Sequence, residues 1–212
     1  MLITRIVLDD FFDDPLAVRK QALSLEYPDP KEGANYPGRT SEQRLALPGG
    51  DAFFSRLTQQ PLQGAADADH YRFRYSWAGA ARRGDVHIDP GVEWSGIIYL
   101  TPDEHCRPEG GTKFFRHKAT GAEARPMTDK EAQDKYGFET RVKFLEATVA
   151  ADSLNPDAWD VVDQVPMKFN RCVLFRPWQF HAGGEDFGTG LEDGRFVQLL
   201  FFKQGKPPQK KA

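Results

Sequence analysis

At 212 residues the chain is long enough to bury a core without staples, and it fits one domain or one domain carrying a sizeable insertion. Its formal net charge of −3 argues against nucleic acid or anionic lipid as a partner. Apolar runs such as Phe196-Val197-Gln198-Leu199-Leu200-Phe201-Phe202 are far too short to cross a bilayer. The start, Met1-Leu2-Ile3-Thr4-Arg5, reaches acidic Asp9 without the apolar core of a signal peptide. Cys106 and Cys172 form neither a disulfide framework nor a zinc spacing, so a reducing cytoplasm is the expected compartment, with Cys172 a small buried hydrophobe.

In chain order, Ile3 to Leu8 reads as a strand, and a helix is predicted from Asp14-Pro15 to Leu25, with Asp14 as its cap and Pro15 in its first turn. Residues 28–50 are rich in Pro, Gly and charge and read as loop, followed by a short helix around Ala52 to Gln59. From Tyr71 the period changes to two: Tyr71, Phe73 and Tyr75 alternate with Arg72, Arg74 and Ser76. Further strands are predicted at Val86 to Asp89, Trp94 to Leu100, Thr112 to Arg116, Val161 to Phe169, Cys172 to Arg176 and Phe196 to Phe202. Between them, residues 120–155 carry the capping-box spacing Thr128-Asp129-Lys130-Glu131 and then helical apolar spacing at Phe144, Leu145, Thr148 and Val149. The fold expected is mainly β with flanking helices, an antiparallel sandwich or jelly roll with a helical insertion.

The chemistry-bearing residues begin with Gly84-Asp85-Val86-His87-Ile88-Asp89-Pro90. On a strand, residues two apart share a face, so His87 and Asp89 project side by side. A second histidine, His181, closes the run from Cys172 to Phe180. Two histidines and one carboxylate on one side of a metal leave the opposite positions open, as non-haem Fe(II) oxygenases require. Taken alone, a His-x-Asp tripeptide reads more readily as a hydrogen-bonded surface pair.

The order of motifs carries the weight. His87-x-Asp89 is followed by Ile97-Ile98-Tyr99-Leu100, by Gly110-Gly111-Thr112-Lys113-Phe114-Phe115, by the run ending at His181 and by Arg195-Phe196-Val197-Gln198. Here the chain resembles the Fe(II)- and 2-oxoglutarate-dependent dioxygenase superfamily, most closely its prolyl-hydroxylase-like branch, from about Tyr71 to Phe202. The resemblance implies a double-stranded β-helix (jelly roll, cupin-like) in which His87, Asp89 and His181 hold Fe(II). Arg195 then grips the distal carboxylate of 2-oxoglutarate, and the Tyr99 hydroxyl assists. It also implies an enzyme that hydroxylates a small molecule or an amino-acid side chain with dioxygen, because Asp89 fills the position that halogenating relatives leave open.

Residues 1–205 would form one oxygenase domain, with a core of about 69–203 and the insertion at 120–155, and 206–212 would be a disordered tail. Edge strands of such an open barrel offer a contact for a homodimer. Two departures stand out: residues 182–194 make a longer connection to Arg195 than the pattern has, and residues 120–155 have no counterpart. The insertion is expected to form a lid or substrate wall.

Chemistry supports Arg195 independently. A buried carboxylate needs a paired donor, and guanidinium supplies two parallel charge-assisted hydrogen bonds; the competing reading is an internal salt bridge. Asp85 is a candidate for contact behind the metal or with substrate. His105, Cys106 and His117 read as solvated loop residues rather than a zinc site, and His70 begins a strand without an evident partner. Arg82, Arg83 and Trp94 either line a substrate mouth or are plain rim residues, and Arg176 and Trp178 are equally open. Two rival functions remain: a cupin-like metal enzyme that does not use 2-oxoglutarate, and a non-catalytic jelly-roll binding module.

Overall fold

The computed structural model describes residues 2–30, 36, 38–80 and 85–206. Arg82, Arg83 and the tail from residue 207 onward, which carried expectations above, lie outside the described residues. Strand β1 (Arg5–Leu8) is followed by helix α1 (Pro15–Leu23), and Asp14 caps the helix by accepting from Ala17 N at 2.9 Å. After β2 (Arg39–Thr40) come α2 (Gly50–Thr58) and β3 (Leu62–Gly64). Next are β4 (Phe73–Ser76), β5 (Trp94–Tyr99) and β6 (Thr112–His117). The insertion supplies α3 (Asp129–Tyr136), α4 (Arg141–Leu145) and a π-helical turn, Glu146–Ala150. The chain closes with β7 (Trp159–Val165), β8 (Cys172–Phe175), β9 (His181–Gly183) and β10 (Arg195–Gln204). No helix among the described residues is long and apolar enough to cross a membrane.

Among the described residues the strands form two antiparallel sheets. The larger is seven-stranded, ordered β1-β8-β5-β10-β4-β2 with β3 also on β10, and the smaller is ordered β7-β6-β9. Period-two patterning explains how they stack. In β10, Phe196, Leu200 and Phe202 join Trp94, Phe73, Leu174 and Phe54 on the outer, helix-covered face of the large sheet. Val197 and Leu199 point the other way and pack with Phe114, Val165, Val173 and Phe175 between the sheets. Both faces are buried, so the strand reads as a near-continuous apolar run. The insertion covers the outer face of the small sheet by packing Phe144 with Phe180, Trp159, Ala182 and Val86. This is the jelly-roll architecture expected from the strand pattern.

Local departures have local causes. Residues 86–89 form no regular strand: His87 makes an isolated bridge with His181 at the start of β9, which is three residues long. His181 does not end the strand that starts at Cys172 but opens the next one. Pro177 has no N–H to donate and restricts Arg176 before it, so β8 stops at Phe175 and a turn intervenes. β7 begins at Trp159 and ends at Val165, earlier than the Val161 to Phe169 expected, because Pro166 ends the ladder. In the insertion, Thr128 caps α3 by accepting from Glu131 N at 3.0 Å, while the Glu131 carboxylate reaches Met127 N rather than the cap's own N–H.

Candidate metal centre

His87, Asp89 and His181 converge. Each offers one ligand atom, and these atoms all lie within 4.8 Å of one another, a span that one ion can bridge. His87 Nε2 stands 3.7 Å from Asp89 Oδ1, His181 Nε2 stands 3.3 Å from Asp89 Oδ2, and the two imidazole centroids are 4.3 Å apart. The backbone sets this up: His87 and His181 exchange N–H···O bonds of 2.9 and 3.0 Å, and Asp89 N donates to Pro177 O at 3.0 Å.

The far side of each ring fixes which nitrogen faces inward. His87 Nδ1 lies 2.7 Å from Asp85 O, and His181 Nδ1 lies 2.8 Å from Gln179 O. A carbonyl oxygen only accepts, so Nδ1 carries the proton in both rings and Nε2 presents its lone pair toward Asp89. Burial pushes the His87 imidazole down to about 4, so at neutral pH it is uncharged. Burial works to raise the Asp89 carboxyl, but the positive charge that the His181 and His87 rings carry when protonated, together with the Ser95 hydroxyl, outweighs it and holds the group below the usual carboxylate range. Ser95 Oγ donates to Asp89 Oδ2 at 2.6 Å. Two nitrogen lone pairs and a carboxylate thus face one another at close range, an arrangement that a divalent cation stabilises.

The three groups open into a cavity of about 270 Å³ between the sheets. Arg195, only 7% exposed, also lines it. Its Nε donates to Gly110 O at 2.6 Å, whereas its Nη2 is buried without a hydrogen-bond partner. No ion pair to a carboxylate is found for it among the described residues. Tyr99 sits one layer behind the cavity wall: fully buried, its hydroxyl lies 2.7 Å from Thr112 Oγ1, and Thr112 is the group that lines the cavity. The Arg195 guanidinium lies 5.9 Å from the Tyr99 ring centroid.

Other candidates resolve differently. Asp85 lines the cavity, as its spacing from His87 suggested. Trp94 is buried on the outer face of the large sheet, with the Arg176 guanidinium 4.0 Å over its ring, so neither flanks a mouth. Trp178 is not among the cavity-lining residues. His105 is exposed, but His117 is a buried residue whose ring nitrogens lie 3.0 Å from Thr120 Oγ1 and 3.1 Å from Asp152 Oδ2. His70 is buried and its Nδ1 accepts from Phe201 N at 2.9 Å. Cys106 and Cys172 are free thiols. No described residue of 120–155 lines the cavity; the insertion packs outside the small sheet, which corrects its reading as a substrate wall.

Sequence reasoning missed Ser95, Arg74 and Ser76. All three sit on the inner face of the large sheet and line the cavity. Arg74 Nε donates to Thr40 Oγ1 at 2.9 Å, its Nη2 lies 3.3 Å from Asp69 Oδ2, its guanidinium lies over the Tyr36 ring, and Tyr36 meets the His87 ring edge-on. The signal was present: a polar face alternating with Phe73 and Tyr75 reads as solvent-facing unless the strand is interior, and β4 is interior.

The fold recurs in solved structures. The non-haem alpha-ketoglutarate-dependent carbocyclase SnoK from nogalamycin biosynthesis has a TM-score of 0.54 at 13% identity, covering 97% of this chain and 84% of that one. The epimerase SnoN from nogalamycin biosynthesis has 0.51 at 13%, covering 99% and 87%. A prolyl hydroxylase from Trichoplax adhaerens, in complex with a hypoxia-inducible-factor peptide, has 0.50 at 11%, covering 95% and 84%. At such identities the likeness is one of fold, the double-stranded β-helix. No curated protein matches the sequence. The family described as "Family of unknown function (DUF6445)" matches residues 85–195, more than half of the chain and a span that holds all three converging side chains and Arg195, and the chain belongs to that family.

Proposed function

We propose that this chain is a non-haem Fe(II)- and 2-oxoglutarate-dependent oxygenase that hydroxylates a small molecule or an amino-acid side chain. One observation carries the reading. A site of two imidazole Nε2 atoms and one carboxylate, which a divalent cation would stabilise, shares its cavity with a buried guanidinium whose Nη2 has no partner. A metal-chelating dianion answers both needs at once. A cupin-like metal enzyme that does not use 2-oxoglutarate does not need Arg195.

His87, Asp89 and His181 would hold the iron, which when bound supplies dioxygen activation coupled to the decarboxylation of 2-oxoglutarate to succinate. The protein's share is placement and shielding. Ser95 holds Asp89 Oδ2, which would leave Oδ1 as the free oxygen for a bound ion. Asp85 O and Gln179 O keep both Nδ1 protons away from the metal side. Arg195, pinned through Nε, turns its Nη edge to the distal carboxylate, and Tyr99 acts through Thr112 by fixing that hydroxyl on the same wall. Phe175, Val197, Leu199 and Phe201 line the remaining inner face and keep water from the reacting carbon. With Asp89 as the third ligand, hydroxylation rather than halogenation is the expected outcome.

The test is succinate formation from 2-oxoglutarate by the purified chain with ferrous iron, across a library of small molecules and amino-acid derivatives. Succinate should form in step with a hydroxylated product and vanish in Asp89→Ala. Substrate oxidation that proceeds without 2-oxoglutarate, or full activity in Asp89→Ala, would overturn the proposal.

A further inference from the structure

We infer that the helical insertion is a brace for the metal ligand His87, with Ser153 as its contact point; this rests on His87 being a ligand. The problem it solves is visible in the backbone. His87 belongs to no ladder, only to a single bridge with His181, so regular strand pairing does not hold the segment that precedes it. That segment also sets the ring: Asp85 O is the acceptor that orients His87 through Nδ1.

Ser153 takes hold of this segment. Its Oγ accepts from Asp85 N at 2.9 Å and donates to Val86 O at 2.9 Å, and its backbone O accepts from Val86 N at 3.2 Å. One residue of the insertion therefore binds the backbone of both residues that immediately precede His87. Ser153 is itself anchored to the small sheet through its neighbour. Asp152 Oδ2 lies 3.1 Å from Nε2 of buried His117 at the end of β6, and Asp152 O accepts from Trp159 Nε1 at the start of β7 at 2.8 Å. Val86 closes the arrangement by packing with Phe144, Trp159 and Phe180. A continuous path runs from the rigid small sheet through Asp152 and Ser153 to Asp85 and then to the imidazole. Groups that orient a ligating histidine from behind change metal affinity by about 10- to 100-fold when removed. Ser153 acts one step further back, so the low end of that range applies, and it is a positioning residue rather than a catalytic one.

The experiment is Co(II) titration of the full chain, read by calorimetry and by the visible absorption of the bound ion, with unfolding temperature measured alongside. Ser153→Ala should raise the Co(II) Kd by about tenfold and alter the band shape while the chain stays folded. Ser153→Thr, which keeps the hydroxyl, should restore both. Asp152→Asn loosens the anchor and should shift affinity in the same direction by less, which decides the matter if Ser153→Ala fails to fold. Unchanged Kd and spectrum in Ser153→Ala, or in Asp152→Asn where the alanine variant is unfolded, overturns the brace. If His87→Ala binds Co(II) as tightly as the native chain, it is the metal-site reading that fails instead.

Discussion

Replacing Arg195 by leucine separates co-substrate binding from folding. In the structure the guanidinium is tied by Nε to Gly110 O, and Nη2 has no partner. If the distal carboxylate of 2-oxoglutarate takes two charge-assisted bonds from the Nη edge, each contributes about 1.5–3 kcal/mol. Even the low end, about 3 kcal/mol for the pair, corresponds to roughly a 150-fold rise in Kd. Stability should respond differently. Gly110 O loses a donor, which costs about 1 kcal/mol, but a buried cation without a carboxylate partner is also removed, and such replacements are often neutral. The apo fold should therefore change by no more than about 1 kcal/mol. Calorimetric titration of 2-oxoglutarate into Ni(II)-loaded protein measures the first quantity, and urea unfolding of the metal-free chain measures the second. If Arg195→Leu binds 2-oxoglutarate within threefold of the native chain, Arg195 is not the carboxylate anchor. If it loses several kcal/mol of stability, the guanidinium is a structural element instead.

Three further outcomes follow from the same geometry. Burial holds His70 down at about 4 against an ordinary value of 6.5, so between these values the unfolded chain binds the proton more readily. Stability from this group is full above about pH 6.5 and is lost as pH falls toward 4, by up to about 3 kcal/mol. His70→Asn should flatten that part of the pH–stability curve, and identical curves for the two proteins would contradict the assignment. Tyr99→Phe removes the hydroxyl bound to Thr112, so 2-oxoglutarate affinity should fall by less than tenfold, on the order of one neutral hydrogen bond; a loss as large as that of Arg195→Leu would place Tyr99 on the co-substrate directly. Phe144→Ala empties the fully buried centre of the insertion's contact with the small sheet and should destabilise the chain by about 3–5 kcal/mol in chemical denaturation, whereas a change under about 1 kcal/mol would mean that the insertion is not integral to the fold.

The strands were legible where burial is simple. β4, β5, β6, β8 and β10 fall close to their predicted bounds because period-two alternation and apolar runs follow from which faces are covered. The segments that carry the ligands were read less well. His87 and Asp89 share a face as expected, yet no strand places them; one bridge, the Pro177 carbonyl and Ser153 do, and none of these long-range contacts leaves a periodic trace. His181 was put at the end of a strand, because the Cys172 to Phe180 run looks continuous until Pro177 is allowed to end it.

The cavity's polar wall was the larger omission. Arg74 and Ser76 alternate with aromatic residues in the manner of a half-exposed strand, and only their place in the cavity wall shows that their face is interior. Arg195, by contrast, was proposed from the family resemblance, with chemical support from the rule that a cation opening a strand as apolar as 196–202 needs an anion. Its structural surroundings supply none among the described carboxylates. The insertion announced its helices through Thr128 and the apolar spacing around Phe144, but not its side of the sandwich. That depends on which face of the small sheet is left uncovered.

The most direct test of the account is diffraction from crystals grown with Ni(II) and 2-oxoglutarate, with anomalous scattering recorded at the nickel edge. A single strong peak should lie within bonding distance of His87 Nε2, Asp89 Oδ1 and His181 Nε2, with the ligand's far carboxylate on the Nη edge of Arg195. Nickel bound elsewhere, or a carboxylate that leaves Arg195 unpaired, would contradict it.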